Sequence, residues 1–380
     1  MRNLICLRYF MSDTEIPANI VGQLISLRKL SSIKVLRRKG CGIEELRHLT
    51  NLTGSLSISH LENVPSKEDA VKADLSGKKN LDEIDFSWSE DDQGSNRGDK
   101  DVLEGLQPPR DVKILTFSNF IGDNFAEWVT KMAIHNEGKW TPLDKLVEIR
   151  LYDCRSCLSL PTLEHLPHLR NLFLWNMDSL TCLRSSDVNG STKPLSPSLR
   201  SLILWGMERL EKWIDGAPNS SKMISPVLRG LVIRHCPKII LIDECHPHPL
   251  VSLEISDCNG LVSITSIQGL TSLEFLSILR CPSLLGIANL PNECHSLKTL
   301  SISHCNNLTS LPHEMFECFA FLNDLTLGPF SKELDSFPSL QGIEKLRNHL
   351  HYLELRGWDH WESMPEEIQH LTSLTALIIK

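Results

Sequence analysis

Apolar residues in the stretch 297–312 recur at spacings that fit neither a helix nor a simple strand. They fall at the first, fourth, sixth, ninth, twelfth and fifteenth positions of this stretch, which begins LKTLSISHC. Leu300 and Ile302 alternate with polar residues, which predicts a short strand because strand side chains point alternately to two faces. The wider spacing after Cys305 predicts that the chain turns away and returns through a helical or irregular segment. One such coil cannot bury its own leucines, so it needs copies of itself on both sides.

The same spacing recurs along most of the chain. We therefore predict an α/β leucine-rich-repeat solenoid, a horseshoe of about fourteen coils with a parallel sheet on its concave face. A repeat array grows in one direction, so all 380 residues are expected to form a single leucine-rich-repeat domain. The later coils begin at Leu169, Leu199, Leu228, Leu250, Leu273, Leu297, Leu322, Leu350 and Leu374.

Two segments in the first third of the chain depart from the regular coil. Residues 66–80 predict a short amphipathic helix, because Ser66 suits a helix start and the acidic Asp69 suits its first turn. Residues 89–101 are acidic and almost without apolar side chains. We predict that they form an insertion loop, because the same repeat spacing resumes at Val112.

Charge and composition narrow the function classes. A net charge of −8 and a pI near 6.0 provide no basic surface for nucleic acid. No apolar run approaches the roughly 18 residues of a membrane span, and the first eleven residues are too polar for a signal peptide. Cys236, Cys258, Cys281 and Cys305 recur with the repeat, which predicts buried thiols in a reducing compartment.

The sequence predicts no catalytic, cofactor or metal site and therefore no enzyme. The pair Cys154-x-x-Cys157 has zinc-like spacing, but both residues fall on core positions and no second pair follows at a suitable distance. The cluster Cys245-His246-Pro247-His248 is better explained as a solvated return loop. Repeat geometry explains three histidines that share one position before the turn: His60, His235 and His304.

Exposed positions of the strands carry the most information about binding. The second, third, fifth, seventh and eighth positions of each coil should point away from the core. Stacked coils would then place an apolar and aromatic strip beside a column of arginines, which are residue types that dominate protein interfaces. The alternative is that the two strip tryptophans pack on each other or against a loop. We predict a protein-binding surface that contains Tyr152, Arg170, Phe173, Trp175, Arg200, Ile203, Trp205, Arg229 and Arg234.

The most distinctive irregular segment is 52–64, which reads LTGSLSISHLENV. The run VLEGLQP at 102–108 follows it, and Gly122, Phe125 and Trp128 come next. Together these segments resemble the C-terminal repeat region of plant coiled-coil nucleotide-binding leucine-rich-repeat (NLR) disease-resistance proteins. The resemblance extends over nearly the whole chain and is strongest from the first of these segments to the last.

The resemblance implies a recognition module that senses a pathogen effector or a guarded host protein, in the cytoplasm or the nucleus. It also implies that the module restrains a nucleotide-binding domain, in cis or in trans. That domain itself is expected to be absent here, because the sequence has no Gly-x-x-x-x-Gly-Lys-Ser/Thr motif.

Two other classes of repeat protein stay open. An extracellular receptor ectodomain is supported by glycosylation sequons at Asn51, Asn189, Asn219 and Asn307. It would also be expected to have near-uniform coils, paired-cysteine caps and a signal peptide. A substrate adaptor of a ubiquitin ligase would share the cysteine at the ninth position. Its coils, however, usually continue as Cys-x-x-Ile-Thr-Asp-x-Gly-Leu, whereas the coil at Cys305 continues as CNNLTSLP.

Overall fold

The structure is a computed structural model of the chain, and it forms two compact units that are described separately. The first comprises Met1–Arg184 with Leu195–Leu199, and the second comprises Ser185–Pro194 with Arg200–Lys380. The residues that the structure describes are 4–12, 15–90, 98–131, 142–184, 194–214, 224–239, 249–264, 270–287, 294–309, 311, 315–330, 340–357 and 366–380.

The first unit contains a parallel sheet whose strands follow the order of the sequence. The strands of this unit are β1 Tyr9–Phe10, β2 Lys29–Leu30, β3 Ser32–Lys34, β4 Thr53–Ser59, β5 Asn80–Ser87, β6 Ile114–Ser118, β7 Glu148–Tyr152, β8 Asn171–Trp175 and β9 Cys182–Arg184. Strands β3 to β8 pair in that order, each parallel to the next, and β1 pairs with β2 separately. Parallel neighbours need a crossover between them, which the return segment of each coil provides.

Short helices form the return segments of the first unit. The α-helices are α1 Ala18–Val21, α2 Lys67–Val71, α3 Asp99–Gly105 and α4 Glu127–Thr130, and the 3₁₀ helices are Ile43–Leu46 and Leu61–Asn63. The predicted start of α2 is confirmed, because the Ser66 side chain accepts a hydrogen bond from the Asp69 amide at 3.3 Å. This helix is shorter than predicted, because Asp74 has a positive φ of 47°, which an α-helix does not accommodate.

The predicted insertion loop 89–101 ends earlier than expected. Residues 99–101 form the first turn of α3, whose buried Val102 and Leu103 supply the apolar side that stabilises the helix. Acidic residues in a first turn complement the partial positive charge of a helix N-terminus. The charge of these residues led us to predict a loop, although acidic residues also suit the start of a helix. Residues 91–97 of the predicted loop lie outside the described part of the chain.

The described residues of the second unit repeat the same architecture with fewer helices. Its strands are β10 Ser201–Trp205, β11 Lys212–Ile214, β12 Gly230–Arg234, β13 Ser252–Ser256, β14 Ser263–Ile264, β15 Phe275–Leu279, β16 Gly286–Ile287, β17 Thr299–Ser303, β18 Asp324–Leu327, β19 Tyr352–Leu355 and β20 Ala376–Ile379. Its parallel sheet has the order β10-β12-β13-β15-β17-β18-β19-β20, and β14 pairs with β16. The 3₁₀ helices are Met315–Cys318, Ile343–Leu346 and Glu366–His370.

The core consists of rows of apolar side chains from corresponding positions of successive strands. Leu231 pairs with Leu253, and Ile233 with Ile255, and all four side chains are buried. Each such Leu or Ile contributes about 1.5–3 kcal/mol by leaving water. The described residues supply fourteen repeat strands of this kind, which confirms the predicted leucine-rich-repeat fold.

Aromatic rings replace some leucines in the core of the first unit. Phe86 and Phe117 stack with 5.6 Å between ring centroids, and Phe125 lies 5.5 Å from Phe117. Trp128 is buried beside them, and its Nε1 donates to the Leu103 carbonyl at 2.6 Å. These rings pack the irregular segment between β5 and α4, where coils with helices of different length must fit together.

A residue in the left-handed conformation follows most strands of both sheets. Non-glycine residues adopt it at His60, Asn119, Asp153, Asn176, His235, Asp257, Arg280 and His304. The amide of Asn119 donates to Tyr152 O, and that of Asp153 donates to Trp175 O, each at 2.9 Å. The chain therefore leaves each strand without losing the hydrogen bond to its neighbour. Three of these residues are the histidines that repeat geometry was predicted to place.

Lys78 is a fully buried lysine in the first unit. Its Nζ donates to the Leu46 carbonyl at 2.8 Å, where the 3₁₀ helix Ile43–Leu46 ends. A cation near the carbonyl end of a helix satisfies an orphan acceptor. Burial lowers the pKa of Lys78 to about 8, with Asp74 opposing that shift. Between pH 8 and the ordinary value of 10.5, the unfolded chain therefore holds a proton that the folded chain has released.

We predict that Lys78 makes the protein more stable as pH rises from 8 to about 10. The free energy of unfolding of the wild type minus that of Lys78→Met should increase in this window, with a slope of at most about 1.4 kcal/mol per pH unit. Urea unfolding at several pH values measures this difference. Lys79→Met is the matched control, because Lys79 is the exposed neighbour. Equal pH slopes for Lys78→Met and the wild type would contradict the prediction.

Candidate protein-binding surface on the strand face

The predicted surface residues fall into two groups, one in each unit. In the first unit, Tyr152 of β7 lies opposite Trp175 of β8, and Arg150 lies opposite Phe173. The rings of Tyr152 and Trp175 meet edge to face with 6.1 Å between centroids. Trp175 is nevertheless 38% exposed, so its contact with Tyr152 leaves part of the indole in solvent. Arg170 is exposed just before β8.

A network of carboxylates surrounds Arg150 beside these rings. Arg150 Nη1 lies 3.1 Å from Glu83 Oε1, and its Nε donates to Glu148 Oε1 at 2.6 Å. Asn171 Nδ2 donates to the other oxygen of Glu148 at 2.8 Å. Arg150 of β7 and Glu83 of β5 are thus fixed on each other. They give the neighbouring aromatic pair a rigid polar border.

Asp85 is a half-buried carboxylate of this face. Its Oδ2 accepts a hydrogen bond from Ser57 Oγ at 3.0 Å. Burial raises its pKa, and nearby Glu83 adds to that shift, while Ser57 and Arg150 oppose it. Sequence reasoning missed these carboxylates, although all three occupy the outward third or fifth positions of their coils: Glu83, Asp85 and Glu148.

The group in the second unit is built around Trp205 of β10 and Arg234 of β12. The two residues lie opposite each other, and the Arg234 guanidinium carbon lies 5.1 Å from the centroid of the Trp205 ring. Arg234 also forms an ion pair with Glu254 of β13. His235 adds a second ring 5.3 Å from Trp205. The cation is therefore held by an aromatic face and a carboxylate together.

Apolar residues accompany this cluster on the same face. Ile203 lies opposite Val232 at the fifth position, and both are half-buried. Arg200 and Arg229 precede their strands and are exposed, and the Arg229 amide donates to the Arg200 carbonyl at 2.8 Å. The second-position arginines are thus neighbours through the backbone. Arg234 differs from them, because its charge is already paired within the sheet.

The buried cysteines are packing residues in both units. Cys154 and Cys157 are buried thiols, and Cys157 Sγ donates to the Gly122 carbonyl at 3.3 Å. Its pKa is raised by the adjacent Cys154 and by burial. Within the described ranges, no cluster of three or more His, Cys, Asp or Glu is arranged to hold a metal ion. The cluster Cys245-His246-Pro247-His248 lies outside those ranges.

Ninth-position cysteines form a continuous row in the second unit. Each donates its thiol proton to the carbonyl two residues earlier, as Cys258 does to Ser256 at 3.4 Å. Contact with Cys236 and burial raise the pKa of Cys258 to about 12, and burial raises that of Cys305 to about 12. The thiolate form, which reacts with electrophiles and metals, is strongly disfavoured here.

Comparison with known proteins finds similarity to plant disease resistance proteins over most of the chain. Residues 43–177 match the family of R13L1/DRL21 leucine-rich repeats. The chain is 31% identical to the disease resistance protein RGA1 of Solanum bulbocastanum over 305 residues, which cover 79% of this chain and 28% of that protein. It is 29% identical to the disease resistance RPP13-like protein 1 of Arabidopsis thaliana over 316 residues, or 72% of this chain and 29% of that protein.

This chain is a leucine-rich-repeat chain that resembles the repeat region of plant disease-resistance proteins. It spans less than a third of the length of these relatives. The repeat fold and the likeness indicate a protein-interaction module.

A solved structure shows the same fold. A leucine-rich-repeat protein of Leptospira interrogans superposes with a TM-score of 0.51 at 19% identity, over 98% of this chain and 90% of that one. None of the helices in the described part of the chain has the length and apolar character needed to cross a bilayer.

We predict that the ninth-position thiols resist alkylation in the folded protein. N-ethylmaleimide should label the exposed Cys6 first, while Cys258, Cys281 and Cys305 react at least tenfold more slowly, because they are buried and protonated. Peptide mass spectrometry after timed labelling measures each rate. The same protein in urea is the control, in which all thiols should react alike. Labelling of Cys258 at the rate of Cys6 without urea would contradict the prediction.

Proposed function

We propose that this chain is the protein-recognition module of a plant intracellular immune receptor, and that it senses a pathogen effector or a guarded host protein. The observation that carries the proposal is the part-exposed ring of Trp175, held against Tyr152 on the strand face. Its similarity to plant disease resistance proteins supports the immune setting.

The strand-face groups have the features of interface hot spots. Trp, Tyr and Arg contribute most to binding when they are rigid and become fully desolvated in the complex. Trp205 and Arg234 are already fixed by their mutual contact and by Glu254. These two side chains therefore lose little conformational entropy when a partner covers them. The exposed Arg200 and Arg229 would form a polar rim for these anchors, and the exposed Arg170 would do so for Tyr152 and Trp175 in the first unit.

Recognition would act on a switch through differential binding. In our proposal the repeats restrain a nucleotide-binding domain, in cis or in trans. A ligand that binds the released state more tightly than the restrained state shifts the population toward release. A tenfold difference in affinity supplies about 1.4 kcal/mol for that shift. Such a mechanism needs no catalytic group on the repeat surface, and we propose that the module is not an enzyme.

The row of buried thiols supports a reducing compartment, and we propose the cytoplasm or the nucleus. A ubiquitin-ligase adaptor and an extracellular ectodomain would use the same fold. The relatives named above are disease resistance proteins, and this likeness favours the immune receptor over both rivals.

We predict that the strand-face tryptophans carry partner binding. Trp175→Ala and Trp205→Ala should each weaken capture of a plant protein or effector by at least tenfold, because truncated hot spots cost 2 kcal/mol or more (a rough central value). Quantitative affinity purification from leaf extract, followed by binding measurements with each captured protein, tests this. Leu158→Ala and Leu285→Ala are matched controls, because these leucines are exposed but do not lie on the parallel strands.

The controls should retain the partner, and all four variants should melt close to the wild type. Retention of the partner by both tryptophan variants would exclude these rings as the binding surface. Failure to enrich any protein over an unrelated repeat protein would argue against the recognition function itself.

We predict that the chain slows nucleotide release from the switch domain that the family resemblance implies. A nucleotide-binding portion of a resistance protein of this type is loaded with a fluorescent ADP analogue, and release is followed with and without the chain. We expect nucleotide release to be several-fold slower, because binding of the repeats stabilises the restrained state of the switch domain. A bacterial leucine-rich-repeat protein serves as the control. Unchanged release at saturating concentration would remove the restraint from the proposal and leave recognition standing.

A further inference from the structure

The first unit contains a polar pocket where strands β5, β6 and β7 end. Its volume is about 560 Å³, within the range of small-ligand and side-chain sites. The pocket lies on the side where the chain leaves the sheet through the left-handed residues Asn119 and Asp153. It is lined by Ser89, Glu90, Asn119, Ile121, Asp153, Arg155 and Ser156.

Fixed hydrogen bonds orient the acidic wall of this pocket. Asp153 Oδ1 accepts from Asn176 Nδ2 at 2.9 Å and from Arg155 Nη2 at 3.1 Å. The Arg155 guanidinium is shared, because its Nη1 also lies 3.4 Å from Asp178 Oδ2. Arg155, the one cation among the described lining residues, is thus divided between two carboxylates, one of which lies outside the pocket.

Acceptors outnumber donors in the rest of the lining. Glu90 is exposed and forms no ion pair with any described residue. Asn119 Nδ2 is engaged with the Trp88 carbonyl at 3.2 Å, so its side-chain oxygen is the remaining polar atom. Among the described lining residues, two carboxylates face one shared guanidinium, which favours a positively charged ligand. Ile121 adds an apolar wall, against which the methylene stem of a long cationic side chain can pack.

We propose that this pocket receives an arginine or lysine side chain from the protein that the strand face binds. The inference rests on the proposed function and adds a chemical requirement to the partner. A protein partner is favoured because the pocket continues the aromatic strip: Asp153 directly follows Tyr152, and the Asn119 amide donates to the Tyr152 carbonyl at 2.9 Å. A chain lying across Tyr152 can therefore place a basic residue in the pocket.

The pocket can be tested without knowledge of the partner. N-acetyl-arginine amide is the probe, and N-acetyl-citrulline amide is its neutral isostere. Methyl NMR of the isoleucines reports on occupancy, because Ile121 lines the pocket while Ile255 lies in the core of the other unit. We expect the arginine probe to shift the Ile121 methyl with millimolar affinity, and the citrulline probe and Ile255 to show no comparable effect. Higher salt should weaken the binding.

Variants then assign the charge. Glu90→Gln and Asp153→Asn should each weaken arginine binding by about threefold to fivefold, the scale of a partly exposed ion pair. Asn tolerates the left-handed conformation of Asp153, so the second change should preserve the turn. Asp257→Asn is the matched control, since Asp257 occupies the same turn position and pairs with Arg280 but lines no part of this pocket.

Equal shifts with arginine and citrulline, an unmoved Ile121 methyl, or unchanged affinity in both pocket variants would overturn the proposal. The partner captured by the strand face gives a separate test. If Trp175→Ala loses that partner while Glu90→Gln and Asp153→Asn retain full affinity, the pocket inference fails and the proposed function stands. If the probe binds as expected but no partner is found, the pocket is real and the proposed function fails.

Discussion

The left-handed residue after each strand lets a coil turn while its strand stays bonded to the next one. In the second unit, Asp257 has a φ of 57°, and its amide still donates to the Leu279 carbonyl of the following strand. Such a conformation costs about 1 kcal/mol or more for a non-glycine residue. The extended ladder and the buried ninth-position residue offset that cost. If the chain continued straight, the ninth position would not reach the core and neighbouring coils would not stack.

This turn also fixes which side chains the strand face presents. Because it ends each strand at the same place, the fifth and seventh side chains of adjacent coils come into contact in register. Tyr152 meets Trp175 in this way in the first unit, and Trp205 meets Arg234 in the second. The contacts restrict the motion of long side chains that would otherwise be mobile. The same turns form the rim of the acidic pocket, so the pocket and the aromatic strip share one structural origin.

The sequence predicted those parts of the fold that depend on apolar spacing. Leucine periodicity sufficed for the parallel strands and their order, and Ser66 correctly marked a helix start. The turn conformation itself was less visible, because His, Asn, Asp, Arg and Gly all occupy it. The acidic Asp99 and Asp101 led us to predict a loop where the structure has the start of α3. Charge alone does not distinguish a solvated loop from a helix N-terminus.

The site could be predicted only in part, because outward positions carry no periodic signal. The sequence indicated the aromatic and arginine residues but not the carboxylates that border them, although these too occupy outward positions of their coils. Lys78 reads as a surface lysine, and only the packing of α2 and its neighbours shows that it is buried. The pocket joins residues about thirty apart in three coils, such as Glu90, Asn119 and Asp153, and no local pattern connects them. One consequence concerns how such a surface can evolve. Outward side chains contribute little to the core, and most of them touch only their own coil and nearby coils. A substitution there alters the surface of a coil or two and leaves the stacking energy nearly constant. Variation can therefore accumulate one coil at a time, without the compensating changes that a globular core would demand.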